Sequence, residues 1–188
     1  MLRVGQSVQR RGKPGEDGKI TAMRTLLLQR HAKSDWSNPE LADHDRPLNQ
    51  RGKRNAERMG RVLKDEDLMP DLILTSTAKR ARQTAKRVVG AGGYSGTVEE
   101  TRALYLANPP GYAAAIRKVQ DDCSRVMVVG HNPGLEEFVE QLTKTAIRLP
   151  TAALVQIELP LERWRDFDEH TQGNVVGVWR PRGLSRGR

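Results

Sequence analysis

The chain of 188 residues is poor in cysteine and has no long apolar run. Its one cysteine, Cys123, has no partner for an internal disulfide, and no Cys/His spacing suggests zinc. No segment approaches the ~18 apolar residues of a membrane helix. The N-terminus is basic at Arg3, Arg10, Arg11 and Lys13, but no apolar stretch follows of the kind a secretory signal carries. These absences point to a cytoplasmic protein with no membrane partner. Acidic clusters of metal-binding type are also missing from the ends of the apolar segments, so no metal and no cofactor is expected.

What is abundant is positive charge, with a net +9. Residues 1–24 carry +4 of it and residues 180–188 another +4, which leaves +1 for the body. The excess sits in two ends that contain Gly, Pro and Arg, and these read as flexible tails. Such tails can touch nucleic acid electrostatically, but a near-neutral body argues against nucleic acid as the main partner. The expected organisation is a basic extension over 1–23, one domain over 24–180 and a basic tail over 181–188. Met23 offers a second start for the functional protein. A monomer is expected, since nothing reads as a dimerisation helix.

The body alternates strands and helices. Strands are expected at 25–29, 71–75, 98–101, 126–129, 152–159 and 175–180. Asn49 can cap a helix over 51–65, and further helices are expected over 77–89, 109–120 and after Pro133, where Leu135, Phe138, Val139 and Leu142 recur at helical spacing. This pattern predicts an α/β fold in three layers, αβα. The central sheet is mostly parallel, with one antiparallel edge strand formed near 152–180.

Three of the apolar strands end in chemically loaded positions: Arg30-His31, then Ser76-Thr77 leading to Arg80, then Gly130-His131. Parallel strands bring their carboxyl ends to one sheet edge, where ligands bind. Two arginines and two histidines then converge. Arginine's planar fork matches phosphate oxygens, and a neutral imidazole is a nucleophile available near pH 7. The set suits a two-step displacement in which a phosphoryl group moves to histidine and then to water. Each residue alone also fits a surface or hydrogen-bonding role, and Arg80 lies in a helix rich in Lys and Arg. The repetition at successive strand ends carries the reading.

The segments QRHAKSDW, DRPLNQRGKRNAERMG, LTSTAKRARQTA and VVGHNPGLEE, together with LYLANP and LPTAAL, resemble in order the motifs of the histidine phosphatase (phosphoglycerate mutase-like) superfamily. They are most similar to its SixA-type phosphohistidine phosphatase branch. The resemblance implies that His31 is the nucleophile, that Arg30 and Arg80 grip the phosphoryl oxygens, and that His131 completes the pocket. Asn132 becomes a supporting phosphate contact, and Gly130 a place where the backbone can approach ligand. The chain departs from the family pattern at Ala32, where Gly is usual, and at Thr77, where Pro is usual. It also lacks the central insert that carries a glutamate acid in mutases and many phosphomonoesterases; Glu99 and Glu100 do not match it.

An alkoxide leaving group needs a proton donor, worth typically ~10²–10⁴-fold, whereas a protonated phosphohistidine expels a neutral imidazole. The missing acid therefore favours phosphohistidine on a protein as substrate. Asp35, Asp43, His44 and Asp45 lie in the loop after His31 and could supply a proton, with Asp35 and Asp45 the foremost candidates; each also fits a solvated loop or capping role. The competing readings are a broad small-molecule phosphomonoesterase and a phosphate- or phosphoprotein-binding module without turnover. A mutase is disfavoured, because so short a chain has little with which to build a lid.

Overall fold

The computed structural model describes residues 22–182, so the extension and tail expected at the two ends lie largely outside the described residues. Six strands form one sheet: β1 (Arg24–Arg30), β2 (Leu72–Ser76), β3 (Thr97–Thr101), β4 (Arg125–Gly130), β5 (Leu154–Leu159) and β6 (Asn174–Trp179). Their order across the sheet is β3-β2-β4-β1-β5-β6. The first four run parallel. β5 runs antiparallel to both β1 and β6. The sheet is thus mostly parallel with antiparallel pairing at one edge. The reversed strand is β5, second from the rim, and β6 closes the edge beside it.

Four helices cover the two faces: α1 (Gln50–Asp65), α2 (Lys79–Gly92), α3 (Pro109–Ile116) and α4 (Gly134–Thr143). Side chains of a strand alternate between faces, and β1 shows the consequence. Leu27 joins a core with Met59 and Leu63 of α1 and Ala81, Ala85 and Val88 of α2. Leu26 and Leu28 join a second core with Tyr112 and Ile116 of α3 and Leu135, Phe138 and Leu142 of α4. Because both faces are covered, β1, β2 and β4 read as continuous apolar runs.

Helix limits follow from local chemistry. Asn49 caps α1 by accepting the Gly52 N–H at 2.8 Å. Helix α2 starts at Lys79, two residues later than the pattern suggests. Ser76 Oγ accepts the Ala78 N–H at 3.2 Å and holds residues 76–78 in a turn. The helix runs on to Gly92 because Gly93, at φ 72°, ends it in the left-handed conformation. Helix α3 stops at Ile116, short of the expected Gln120. Beyond it the N–H groups of Lys118 and Val119 bond three residues back, to Ala115 and Ile116, so the helix tightens and ends.

Gly52 fixes the loop after β1. A Cβ there would stand 2.2 Å from the Lys33 carbonyl oxygen, so only glycine lets the first turn of α1 sit against that loop. Asn49 N–H donates to the same carbonyl. The DRPLNQRG segment therefore acts as a buttress behind the end of β1.

Candidate active site

The carboxyl ends of β1, β2 and β4 bring Arg30, His31, Arg80 and His131 together. The two imidazole rings lie 5.0 Å apart, centroid to centroid. His31 and His131 are 8% and 1% exposed, and Arg80 is 5% exposed. Arg80 sits between the rings. Its Nε donates to His31 Nε2 at 3.3 Å and its Nη2 donates to His131 Nδ1 at 3.3 Å.

These bonds fix both tautomers. A guanidinium has no lone pair to offer, so the ring nitrogens facing it must be acceptors. On His31 the other nitrogen, Nδ1, lies 2.8 Å from the Ala32 carbonyl and therefore carries the proton. On His131 the proton is on Nε2, which donates to Ser76 Oγ at 2.8 Å. Both rings are neutral, and both turn a lone pair towards the cation. Burial is the main cause of their low proton affinity: it pushes His31 down to about 4 and His131 to about 3. Arg80 and Arg30 add to the shift in both, and for His131 the neighbouring His31 adds more.

Ala32, a departure from the usual glycine, fits without strain. It is fully buried, is not among the residues with positive φ, and donates its N–H to Thr84 Oγ1 at 3.0 Å. Its carbonyl is what sets the His31 tautomer. The segment 149–153 pins the end of β1 from the other side. Ala152, at φ 66°, shares its N–H between the carbonyls of Arg30 and His31 at 3.1 Å each. A non-glycine residue in this region is held by surrounding structure. The Leu149 carbonyl accepts from Arg30 Nη1 at 2.9 Å and from Asn132 Nδ2 at 3.2 Å. Arg30 Nε is buried without a partner, which leaves a donor of the kind a phosphoryl oxygen would satisfy. Burial lowers the Arg30 pKa, and the charge of Glu136 opposes this.

Gly130 serves a different purpose from the one expected of it. A Cβ there would meet the Tyr112 hydroxyl at 2.2 Å, so the glycine makes room for Tyr112 rather than for ligand. That hydroxyl accepts the His131 N–H at 2.9 Å and donates to the His131 carbonyl at 3.2 Å. It clamps the backbone that carries His131.

The two carboxylates singled out as proton donors do not join this cluster. Asp35 Oδ1 accepts the Ser37 N–H at 2.9 Å and caps its own loop. Asp45 is exposed and paired with His44 at 3.5 Å. Their neighbour Asp43 does join it, from a short 3₁₀ turn over Asp43–Asp45. Its Oδ2 accepts from Arg80 Nη2 and from the Tyr105 hydroxyl, each at 2.9 Å, and its carbonyl accepts from Arg80 Nη1 at 2.5 Å. Burial pushes the Asp43 carboxyl up. The hydrogen bonds from Tyr105 and Arg80, with the charge of Arg80, outweigh it and hold the group below the usual range. Asp43 is thus ionised near neutral pH and cannot serve there as a donor. Ser76 and Tyr105 are the other members that residue type alone did not single out. The position of Ser76 at the end of β2 was the available signal for it.

With this geometry in place, residues 26–104 match the histidine phosphatase superfamily, branch 1. The chain belongs to that superfamily, in its SixA-type branch. It is similar to a structure assigned as the phosphohistidine phosphatase SixA of Nakamurella multipartitia. That match has a TM-score of 0.75 and 27% identity, and it covers 85% of this chain and 96% of the other. An uncharacterized protein of Mycobacterium leprae is 31% identical, over 80% of this chain and 89% of its own length. A chloroplastic uncharacterized protein of Arabidopsis thaliana is 37% identical, over 71% of this chain and 66% of its own. Among the described residues no helix is long and apolar enough to cross a membrane.

Proposed function

We propose that the protein is a phosphatase that hydrolyses phosphohistidine on a protein, through a phosphorylated His31. The carrying observation is the orientation of His31. Its proton is held on Nδ1 by the Ala32 carbonyl, so the Nε2 lone pair faces the guanidinium that would grip the phosphoryl group. In the first step this lone pair attacks phosphorus and the substrate imidazole leaves with the bonding electron pair. In the second, water attacks phosphorus, inorganic phosphate leaves and His31 is regenerated.

Arg80 and Arg30 supply the positive charge that draws in the phosphoryl oxygens, and His131, fixed by Ser76, completes the pocket wall. Preorganised donors of this kind act where charge develops in the transition state. The substrate class is inferred from leaving-group chemistry. The carboxylate beside the cluster is Asp43, which is ionised, while Asp35 and Asp45 stand elsewhere. Among these three carboxylates an alkoxide therefore finds no proton donor, and a protonated imidazole needs none. The SixA assignment of the Nakamurella structure agrees with this reading. We place the activity in the cytoplasm and on a monomer, the setting that the lone cysteine and the composition favour.

The test is initial phosphate release from a phosphohistidine-bearing protein, from sugar phosphates and from p-nitrophenyl phosphate, without added metal. A strong preference for phosphohistidine is expected. Equal or better turnover of the esters would instead support a broad phosphomonoesterase, and no turnover of any substrate a binding module.

A further inference from the structure

Asp43 stands at the mouth of the site. The two histidines lie on its buried floor, whereas the Asp43 side chain is 46% exposed. A phosphoryl group within reach of His31 and Arg80 must carry its leaving group on the open side, since a protein-borne ring has to enter from there. That is the side on which Asp43 stands. Both hydrogen bonds that its carboxylate accepts, from Arg80 and Tyr105, fall on Oδ2. Oδ1 takes part in neither and, among the described residues, remains available.

We propose that Asp43 Oδ1 accepts the ring N–H of the substrate phosphohistidine and so selects a nitrogen leaving group over an oxygen one. This rests on the function proposed above. A phosphohistidine ring bonded to phosphorus at one nitrogen and protonated at the other carries positive charge. An ionised carboxylate beside it holds that proton in place and attracts the charge. His31 Nε2 then forms its bond to phosphorus as the substrate P–N bond breaks. The bonding pair passes to the departing nitrogen, and the ring leaves neutral with its own proton, so no enzymic acid is consumed. An ester develops negative charge on its leaving oxygen, which the same carboxylate repels. Asp43 thus discourages esters by more than the absence of a donor. Oδ2 keeps its bonds to Arg80 and Tyr105 meanwhile, so selection does not require the guanidinium to be released.

The experiment compares wild type, Asp43→Asn and Tyr105→Phe on a phosphohistidine-bearing protein and on p-nitrophenyl phosphate. Asparagine keeps the shape and can still accept from Arg80, but loses the charge. A hydrogen bond to a charged group is worth ~1.5–3 kcal/mol, so Asp43→Asn should lower kcat/KM for phosphohistidine by about 10-fold to 100-fold. Turnover of the ester should fall far less or rise, which shifts the ratio of the two. Tyr105→Phe, which removes only a contact to Oδ2, should leave that ratio unchanged. An equal fall on both substrates in Asp43→Asn would mean that the residue merely positions Arg80, and would overturn the proposal. So would unchanged phosphohistidine turnover. Failure of the wild type itself on phosphohistidine would overturn the functional reading, and this inference with it.

Discussion

Arg80 Nε rests on Nε2 of His31 at 3.3 Å, so the cation that would hold a phosphoryl group lies against the lone pair that would attack it. The contact suppresses protonation of the nucleophile and keeps the guanidinium in place before substrate arrives. Arg80→Lys tests both functions. A lysine is a point charge on a flexible stem and cannot bond His31, His131 and Asp43 at once. Loss of one preorganised donor typically costs ~10²–10³-fold, and a fall of that order in kcat/KM is expected from steady-state kinetics.

Through neutrality the enzyme's own histidines should add no pH dependence, so any slope there follows protonation of the substrate ring, and the histidines cost activity only in acid. His31 titrates at about 4 and His131 at about 3, so both keep their lone pairs across the physiological range. The measurement is kcat/KM from about pH 8 to about pH 3, with spontaneous phosphate release subtracted. Stability should respond earlier. Unfolded imidazoles take up protons below their model value of 6.5, whereas the buried rings resist until about 4 and about 3. The histidine contribution to stability is therefore complete above pH 6.5 and is lost as the pH falls towards 4.

Ser76→Ala should reduce turnover while sparing the fold. It removes the acceptor of the His131 Nε2 proton; Arg80 still requires Nδ1 to be unprotonated, so the ring loses its anchor and its buried donor is left unpaired. A loss of about tenfold in kcat is expected from a loosened ring at one pocket wall, together with a smaller change in KM. An unchanged kcat would remove Ser76 from the mechanism.

Gly130→Ala should destabilise the protein, because its new methyl meets the Tyr112 hydroxyl and ring. Overpacking of a tight core costs ~1–3 kcal/mol, visible as a lower Tm. Gly130→Ala combined with Tyr112→Phe should recover part of that loss, since the nearest clashing atom is removed.

Activity should persist in EDTA. The proposed mechanism draws its positive charge from Arg30 and Arg80, and among the described residues no group of three His, Cys, Asp or Glu side chains could hold a metal. Loss of turnover that added Mg²⁺ restores would contradict this.

Much of this was legible in the sequence because it depends on local chemistry. Apolar runs that end at Arg30, Ser76 and Gly130 mark strands whose carboxyl ends meet, and Asn49 announces α1. What was hidden depends on tertiary contact. Asp35, Asp43 and Asp45 look alike in a proline-bounded loop, and only the folded path shows which carboxylate reaches Arg80. Gly130 looks like a ligand-facing glycine until Tyr112 is seen filling its space. Ala152 gives no sign in sequence of the left-handed conformation that ties Arg30 and His31 in place. The reversal of β5 was suggested by the absence of a helix before β6, but not the position of β5 inside the edge.

The most direct test is to trap the phosphoenzyme. The protein is mixed with a phosphohistidine-bearing protein, quenched in alkali within the turnover time, digested and mapped by mass spectrometry. The account predicts an acid-labile phosphoryl group on the peptide containing His31, absent from His31→Ala, a variant that also fails to turn over. A phosphoryl group on another residue, or turnover that survives in His31→Ala, would contradict it.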